Sequence, residues 1–176
     1  MGTFARRLIG AATLNARVYE SVEADRSALG QALLVVLLSS AAAGVGLGRA
    51  RPGAIITVTL IALVSWLSWA AIVYQIGGRL LPEPATRVDF AEMLRTTGFA
   101  ASPGLIQVLA AIPGWSGVVV GVSWIWMVAA MVTAVQHALD YQRLTRTLAV
   151  CVIAAAVAIG MAVVLSLMLT PTTVAR

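Results

Sequence analysis

The stretch TTGFAASPGLIQVLAAIPGWSGVVVGVSWIWMVAAMVTAVQHAL, residues 96–139, decides the fold because its 44 residues include no Asp, Glu, Lys or Arg. A bilayer core is crossed by roughly 20 apolar residues of α-helix, so this stretch is long enough for two crossings. Its strongest helix-breaking signal is Pro113-Gly114, which predicts a division there and places Trp115 at a membrane surface. A single re-entrant segment is the alternative, and it would leave the chain with four crossings.

Three further uncharged stretches, residues 27–48, 52–78 and 147–175, are each long enough for one crossing. Only 11% of the chain is charged, whereas soluble domains have about 25% charged residues. We therefore predict an all-α integral membrane protein with five transmembrane helices in one membrane domain at residues 27–170. The predicted spans are residues 28–48, 54–78, 97–113, 117–137 and 147–170, with a segment at 1–26 before them and a tail at 171–176 after them.

The N-terminal segment has the apolar periodicity of an amphipathic helix over residues 3–23. Its apolar face carries Phe4, Leu8, Ala11, Ala12, Val18, Tyr19 and Val22, and polar side chains gather on the opposite face. Such a helix is expected to lie in the membrane interface with its apolar side down. The candidate residues for contact with lipid or a cytoplasmic partner are Arg6, Arg7, Arg17, Glu20, Glu23 and Asp25.

The acidic residues before the first span have a structural interpretation as well. Glu20, Glu23 and Asp25 precede a helix N-terminus, whose dipole favours negative charge. Asp25 or Ser27 can cap that helix. Before the third span, Asp89 and Glu92 have the spacing of a capping box, which predicts a second short interfacial helix.

The arginines predict the orientation of the chain in the membrane. With five crossings, nine arginines share the side of the N-terminus: Arg6, Arg7, Arg17, Arg26, Arg79, Arg87, Arg95, Arg143 and Arg146. Three arginines, Arg49, Arg51 and Arg176, share the other side. The positive-inside rule then makes the N-terminus cytoplasmic and the C-terminus external. Every basic residue is Arg, which is typical of a GC-rich bacterial genome, so we expect the bacterial cytoplasmic membrane.

The distribution of chemically active side chains argues against several function classes. No predicted span contains Asp, Glu, Arg or Lys, which argues against ion-coupled transport. The chain has no nucleophile motif, phosphate loop or carboxylate pair in a pocket, so we predict a protein that is not an enzyme and has no cofactor or metal. The single histidine, His137, leaves an axial ligand to a porphyrin as an alternative. The dispersed arginines do not predict nucleic-acid binding.

Several residues are candidates for helix packing or for a partner interface. Gly-x-x-x-Gly pairs let two helices approach closely, and four tryptophans lie near the middle of spans two and four, where Trp is unusual. We expect these tryptophans either to pack between helices or to contact an apolar ligand or a partner helix. The full set is Gly44, Gly48, Gly98, Pro103, Pro113, Gly117, Gly121, Trp66, Trp69, Trp124 and Trp126.

An ordered set of short motifs resembles the Yip-domain family of Ypt/Rab-interacting membrane proteins, in its bacterial branch. The motifs are Tyr19-Glu20-x-x-Glu23-Ala24-Asp25 leading into Ser27-Ala28-Leu29-Gly30-Gln31-Ala32, Arg95-x-x-Gly98-Phe99-Ala100-x-x-Pro103, Ile112-Pro113, Trp124-x-Trp126-x-x-Ala129 and Gln136-x-Ala138-Leu139-Asp140. The resemblance covers residues 15–165 and implies five helices, a cytoplasmic N-terminus and an external C-terminus. Eukaryotic relatives engage prenylated Rab GTPases and shape membranes, but this chain lacks their cytoplasmic tyrosine-glycine-proline motif, so Rab binding is not implied.

These observations leave three hypotheses of different kinds. The first is a non-enzymatic membrane scaffold that organises lipid or binds other membrane-protein chains or itself. The second is an accessory subunit of a respiratory or photosynthetic membrane complex, with contacts through the tryptophans and His137. The third is a small channel or passive transporter, which needs a continuous polar path through Gln31, Gln107 and the bend at Pro103.

Overall fold

The computed structural model describes residues 2–48 and 52–169 of the chain. All regular structure within these ranges is helical. The α-helices are α1 (Thr3–Ala12), α2 (Ala16–Ala24), α3 (Ala28–Gly46), α4 (Pro52–Val73), α5 (Phe90–Phe99), α6 (Ser116–Ala138) and α7 (Leu144–Leu169). A π-helical segment (Tyr74–Leu80) follows α4, and a 3-10 segment (Ser102–Ala111) follows α5. Arg49, Arg51 and the predicted tail at 171–176 with Arg176 lie outside the described residues.

The N-terminal amphipathic helix is broken in two, so the prediction of one continuous helix over 3–23 is wrong. Leu14 has a φ of 58°, a left-handed conformation that no helix interior accommodates. The Asn15 side chain then accepts a hydrogen bond from the Arg17 backbone N–H and caps α2. The break folds α1 back along α2 as a helical hairpin, which we call the N-terminal hairpin.

The structure describes four helices that are long and apolar enough to cross a membrane. They are α3, α4 together with the π-helical segment, α6 and α7, and they correspond to four of the predicted spans.

The Asp89–Glu92 capping box is present: the Glu92 backbone N–H donates to Asp89 Oδ1 at 2.7 Å, and the Asp89 backbone N–H donates to Glu92 Oε2 at 2.8 Å.

The helix predicted over 97–113 is not continuous. The capping box starts α5, which runs to Phe99, and the chain continues after two residues as the 3-10 segment. Pro103 lies at the start of that segment, where its missing N–H costs no internal hydrogen bond. The predicted short interfacial helix and the first part of the predicted third span are therefore one helix.

The interrupted segment formed by α5 and the 3-10 helix runs beside α3 in the same direction. A Cβ at Gly98 would lie 2.8 Å from the Ala32 Cβ near the start of α3, and a Cβ at Gly46, where α3 ends, would lie 2.8 Å from the Gln107 carbonyl carbon. From residue 32 to residue 46 an α-helix rises about 21 Å. The interrupted segment therefore accompanies α3 over most of a bilayer core.

Candidate functional site

The α2 helix of the N-terminal hairpin packs against the helix bundle where α2, α5 and the C-terminal part of α6 meet. We call this place the junction. Tyr19 is fully buried there, and its hydroxyl lies 3.1 Å from the Ala11 carbonyl oxygen and 3.3 Å from that of Ala130. One side chain thus connects α1, α2 and α6, and its burial raises the pKa of the Tyr19 hydroxyl. The apolar side of the hairpin faces protein at Ala11, Tyr19 and Val22.

Arg95 is the central polar group of the junction. Its side chain is 3% exposed, although it carries a full charge. Arg95 donates from Nε to the Val22 carbonyl oxygen at 3.3 Å and from a terminal nitrogen to the Glu23 carbonyl oxygen at 2.5 Å. Glu92 on the preceding turn lies 3.9 Å away. Carbonyls in the last turn of a helix have no partner within it, so Arg95 caps the C-terminus of α2.

The junction concentrates negative charge around Glu23. Burial raises the pKa of Glu23 to about 7, and the charges of Asp140 and Glu92 add to this increase, while Arg95 opposes it. The ring of His137 stacks on Tyr19, with 6.1 Å between centroids and 2° between planes. The structure therefore places predicted site residue Glu23 beside Arg95, and His137 beside Tyr19.

A second polar contact ties the hairpin to the start of α3. Arg7 is mostly buried and donates to Asp25 Oδ2 at 2.7 Å and to Gln31 Oε1 at 3.1 Å. Hydrogen bonds from Ser27 and from Arg7 lower the pKa of Asp25 to about 2, so this carboxylate stays charged. Of the other predicted contact residues, Arg6, Arg17 and Glu20 are exposed.

Tyr141 organises the opposite edge of the same end of the bundle, and sequence reasoning did not single it out. Its hydroxyl is 3.0 Å from the Gly77 carbonyl oxygen and 2.6 Å from that of Leu81, at the end of the π-helical segment. Arg146 donates to the Leu81 carbonyl at 3.2 Å and lies 3.7 Å from a Glu83 carboxylate oxygen. Burial raises the pKa of the Tyr141 hydroxyl. The only sequence signal is a tyrosine and an arginine immediately before an apolar run.

The glycines that permit close helix packing are mostly not the predicted ones. A Cβ at Gly44 would make an ordinary 3.6 Å contact, and one at Gly117 or Gly121 would meet open space. A Cβ at Gly48 would likewise meet nothing, and Gly48 lies two residues after the end of α3 with a φ of 66°. By contrast, a Cβ at Gly46 would overlap the Gln107 carbonyl oxygen. Further glycines with such overlaps or contacts below 3.0 Å are Gly10, Gly77, Gly98 and Gly104, of which only Gly98 was predicted.

The four tryptophans have different surroundings. Trp66 donates to Thr97 Oγ1 at 3.1 Å and links α4 to α5. The Trp69 ring packs on the core, and its buried Nε1 has no hydrogen-bond partner among the described residues. Trp126 donates to the Ala12 carbonyl oxygen at 2.6 Å, so it holds the N-terminal hairpin. Trp124 is 60% exposed. Trp66 and Trp69 therefore pack within the protein, Trp126 contacts the hairpin at the surface, and Trp124 faces outward. Pro113 lies in the turn before α6, as predicted.

The polar side chains inside the described bundle do not form one path. Gln31 pairs with Arg7 in the first turn of α3, whereas Gln107 lies beside the other end of α3 and donates to Ser123 Oγ at 3.0 Å. Between them the fully buried side chains of Ala32, Val35 and Phe99 are in one core cluster. Among the described residues no group of three or more His, Cys, Asp or Glu could hold a metal ion.

The comparison with known protein families identifies the chain. The Yip1 domain matches it over residues 11–167, which include the junction, the interrupted segment, three of the four apolar helices and α7 except its last residues. The junction also assembles residues from three of the motifs in the resemblance, namely Tyr19, Glu23, Arg95 and Asp140. Neither a curated protein nor a solved structure matches the chain. The chain is a member of the Yip1 domain family of membrane proteins.

Proposed function

We propose that this protein is a non-enzymatic membrane scaffold that binds lipid and another membrane-protein chain, or a second copy of itself. The observation that carries the proposal is the large apolar surface that the helices leave uncovered. Of the residues in the most apolar part of α4 and the π-helical segment, 6% are buried within the protein, compared with 39% of those in the most apolar part of α3. Such a surface needs lipid or a partner helix to cover it.

We further propose five crossings with a cytoplasmic N-terminus in a bacterial cytoplasmic membrane. The interrupted segment supports the fifth crossing, because it starts beside the hairpin and ends beside Gly46 at the far end of α3. The N-terminal hairpin, Arg95 and the Tyr141–Arg146 contacts all lie at the same end of the bundle. The positive-inside rule makes this arginine-rich end cytoplasmic.

The outer face of α6 is our candidate for the partner interface. Gly117 and Gly121 lie one helical turn apart with open space over both, and Trp124 and Ile125 are exposed on the next turn, by 60% and 75%. Small residues flanked by large apolar ones allow close packing of a second membrane helix. The four-residue spacing keeps both glycines on one side of α6.

The test compares oligomers or co-purifying chains after mild solubilisation. Gly117→Ile with Gly121→Ile should abolish the complex in native mass spectrometry, because two branched side chains would separate the helices. Gly160→Ile on α7 is the matched control, since it also places a branched side chain in open space. A wild-type protein that is a monomer without any co-purifying chain would refute the partner interface.

The accessory-subunit alternative is supported by the outward-facing Trp124, which suits a partner in a larger complex as well as a second copy. The same purification separates the two versions, because a larger complex adds other chains. A pigment or haem absorbance in that preparation would favour His137 as an axial ligand. Replacing His137 should then remove the absorbance.

A further inference from the structure

A hollow lies between the two helices of the N-terminal hairpin. It is lined by Thr3, Arg6, Arg7, Val18 and Ser21. Two arginines and a threonine hydroxyl supply hydrogen-bond donors, whereas the Ser21 hydroxyl already donates to the Val18 carbonyl oxygen at 2.8 Å. The side chain of Val18 and the aliphatic stems of the arginines form an apolar wall.

The charges around the hollow favour an anion. Arg7 forms an ion pair with Asp25, whereas Arg6 forms none among the residues that the structure describes. Arg6, Arg7 and Asp25 together therefore carry a net charge of +1. Arg7 has five N–H donors, of which three bond Gln31, Asp25 and the Ser21 carbonyl. Two donors of Arg7 and all those of Arg6 remain for a ligand.

The position of the hollow matches the depth of lipid phosphates. Arg7 contacts Gln31 in the first turn of α3, the first of the four apolar helices that are long enough to cross a membrane. The end of such a helix lies at the boundary between the hydrocarbon core and the headgroups. Paired arginines bind phosphate oxygens through charge-assisted hydrogen bonds.

We propose that this hollow binds the phosphate group of an anionic phospholipid, held by Arg6, Arg7 and Thr3. The apolar wall suits the glycerol and the first methylene groups, which a free phosphate ion lacks. The inference deepens the proposed function, because it names the lipid class that the N-terminal hairpin recognises. It depends on that proposal only for placing this end of the bundle at the headgroup layer.

The experiment measures ligand binding to the purified full-length protein in detergent by titration calorimetry. The probes are dihexanoyl phosphatidylglycerol, dihexanoyl phosphatidylcholine and inorganic phosphate. Arg6→Gln removes one charge without breaking a side-chain hydrogen bond or ion pair among the described residues. Arg17→Gln is the matched control, because Arg17 is an exposed arginine of the same hairpin outside the hollow.

We expect phosphatidylglycerol to bind more tightly than phosphatidylcholine. Arg6→Gln should weaken phosphatidylglycerol binding about fivefold, the usual contribution of one basic residue near an anionic surface, and Arg17→Gln should leave it unchanged. Equal effects of the two substitutions, or equal affinity for the two lipids, would overturn the proposal. Inorganic phosphate that binds as tightly as phosphatidylglycerol would assign the hollow to a soluble phosphate and overturn the lipid assignment.

The outcome is independent of the partner interface on α6. A protein that loses its complex with Gly117→Ile and Gly121→Ile but keeps its lipid preference supports both proposals. A monomer that keeps the Arg6-dependent preference refutes the scaffold interface and supports the hollow. A protein that forms the complex but binds phosphatidylglycerol equally well with and without Arg6→Gln supports the scaffold interface and refutes the proposal for the hollow.

Discussion

Gly46→Ala should destabilise the protein although alanine favours α-helix. The new Cβ would overlap the Gln107 carbonyl oxygen and lie 2.8 Å from its carbonyl carbon, 0.6 Å inside the 3.4 Å at which ordinary contact begins. Both atoms belong to the backbone, so no rotamer change relieves the overlap, and α3 must move away from the 3-10 segment. Overpacking of this kind costs about 1–3 kcal/mol.

Two smaller effects modify this value. Replacing glycine by alanine inside a helix gains up to about 1 kcal/mol, whereas a weakened Gln107–Ser123 hydrogen bond loses about 0.5–1.5 kcal/mol. The net expectation is a loss of about 1–3 kcal/mol. The control is Gly44→Ala, which gains the same helix propensity but makes an ordinary 3.6 Å contact with Ile55.

The assay is thermal unfolding in a mild detergent, followed by circular dichroism. Gly46→Ala should lower Tm by about 3–10 °C, and Gly44→Ala should leave it unchanged or raise it. Labelling of the buried Cys151 by a maleimide on heating provides a second readout, because this is the only thiol of the chain. Equal Tm values for the two variants would refute the close approach of α3 and the 3-10 segment.

Three further predictions concern the junction, the Tyr141 contacts and the topology. Burial raises the pKa of Glu23 from 4.5 to about 7, so the contribution of Glu23 to stability is fully present below pH 4.5 and is lost as pH rises through 7. The Tm of the wild type should therefore fall between pH 5.5 and 8 relative to that of Glu23→Gln, and parallel curves of Tm against pH would contradict the burial of Glu23. Tyr141→Phe removes the hydroxyl from two carbonyls at 3.0 and 2.6 Å and should cost about 1–3 kcal/mol of unfolding free energy by the same assay; an unchanged Tm would refute these contacts. In a Cys151→Ala background, Ser116→Cys should react with an impermeant maleimide from outside intact cells and Ser21→Cys should not, whereas equal labelling would exclude five crossings.

The four long apolar helices were predictable because charge in hydrocarbon is costly, so uncharged stretches of sufficient length mark such helices directly. The capping box at Asp89 was predictable because its two hydrogen bonds are local. Both features depend on residues close in sequence. Neither required knowledge of which helices become neighbours.

The packing glycines could not be identified from spacing alone. Gly44, Gly46 and Gly48 all lie near the end of α3, and the rotation of α3 against the 3-10 segment decides which of them faces it. That rotation depends on contacts between distant parts of the chain. The Gly-x-x-x-Gly pattern selected Gly44 and Gly48, whereas the close approach occurs at Gly46.

The surroundings of the N-terminal hairpin were ambiguous for a related reason. An apolar helix face is covered equally well by lipid or by protein, so the periodicity of residues 3–23 cannot distinguish them. The break at Leu14 and Asn15 was hidden by this periodicity, because the apolar residues on both sides remain in register. Tyr19 and Val22 are buried against protein because the break lets α2 reach α5 and α6.

The cap that Arg95 provides has a consequence for how the N-terminal segment can change during evolution. Arg95 binds the carbonyl oxygens of Val22 and Glu23, atoms that every residue type possesses. The anchor therefore recognises the end of a helix rather than a particular sequence. Homologues can vary the exposed side chains along α2, and with them the outer surface of this end of the protein, without losing these two hydrogen bonds. Substituting Arg95 itself would remove this cap from any such segment, whatever the sequence of the segment.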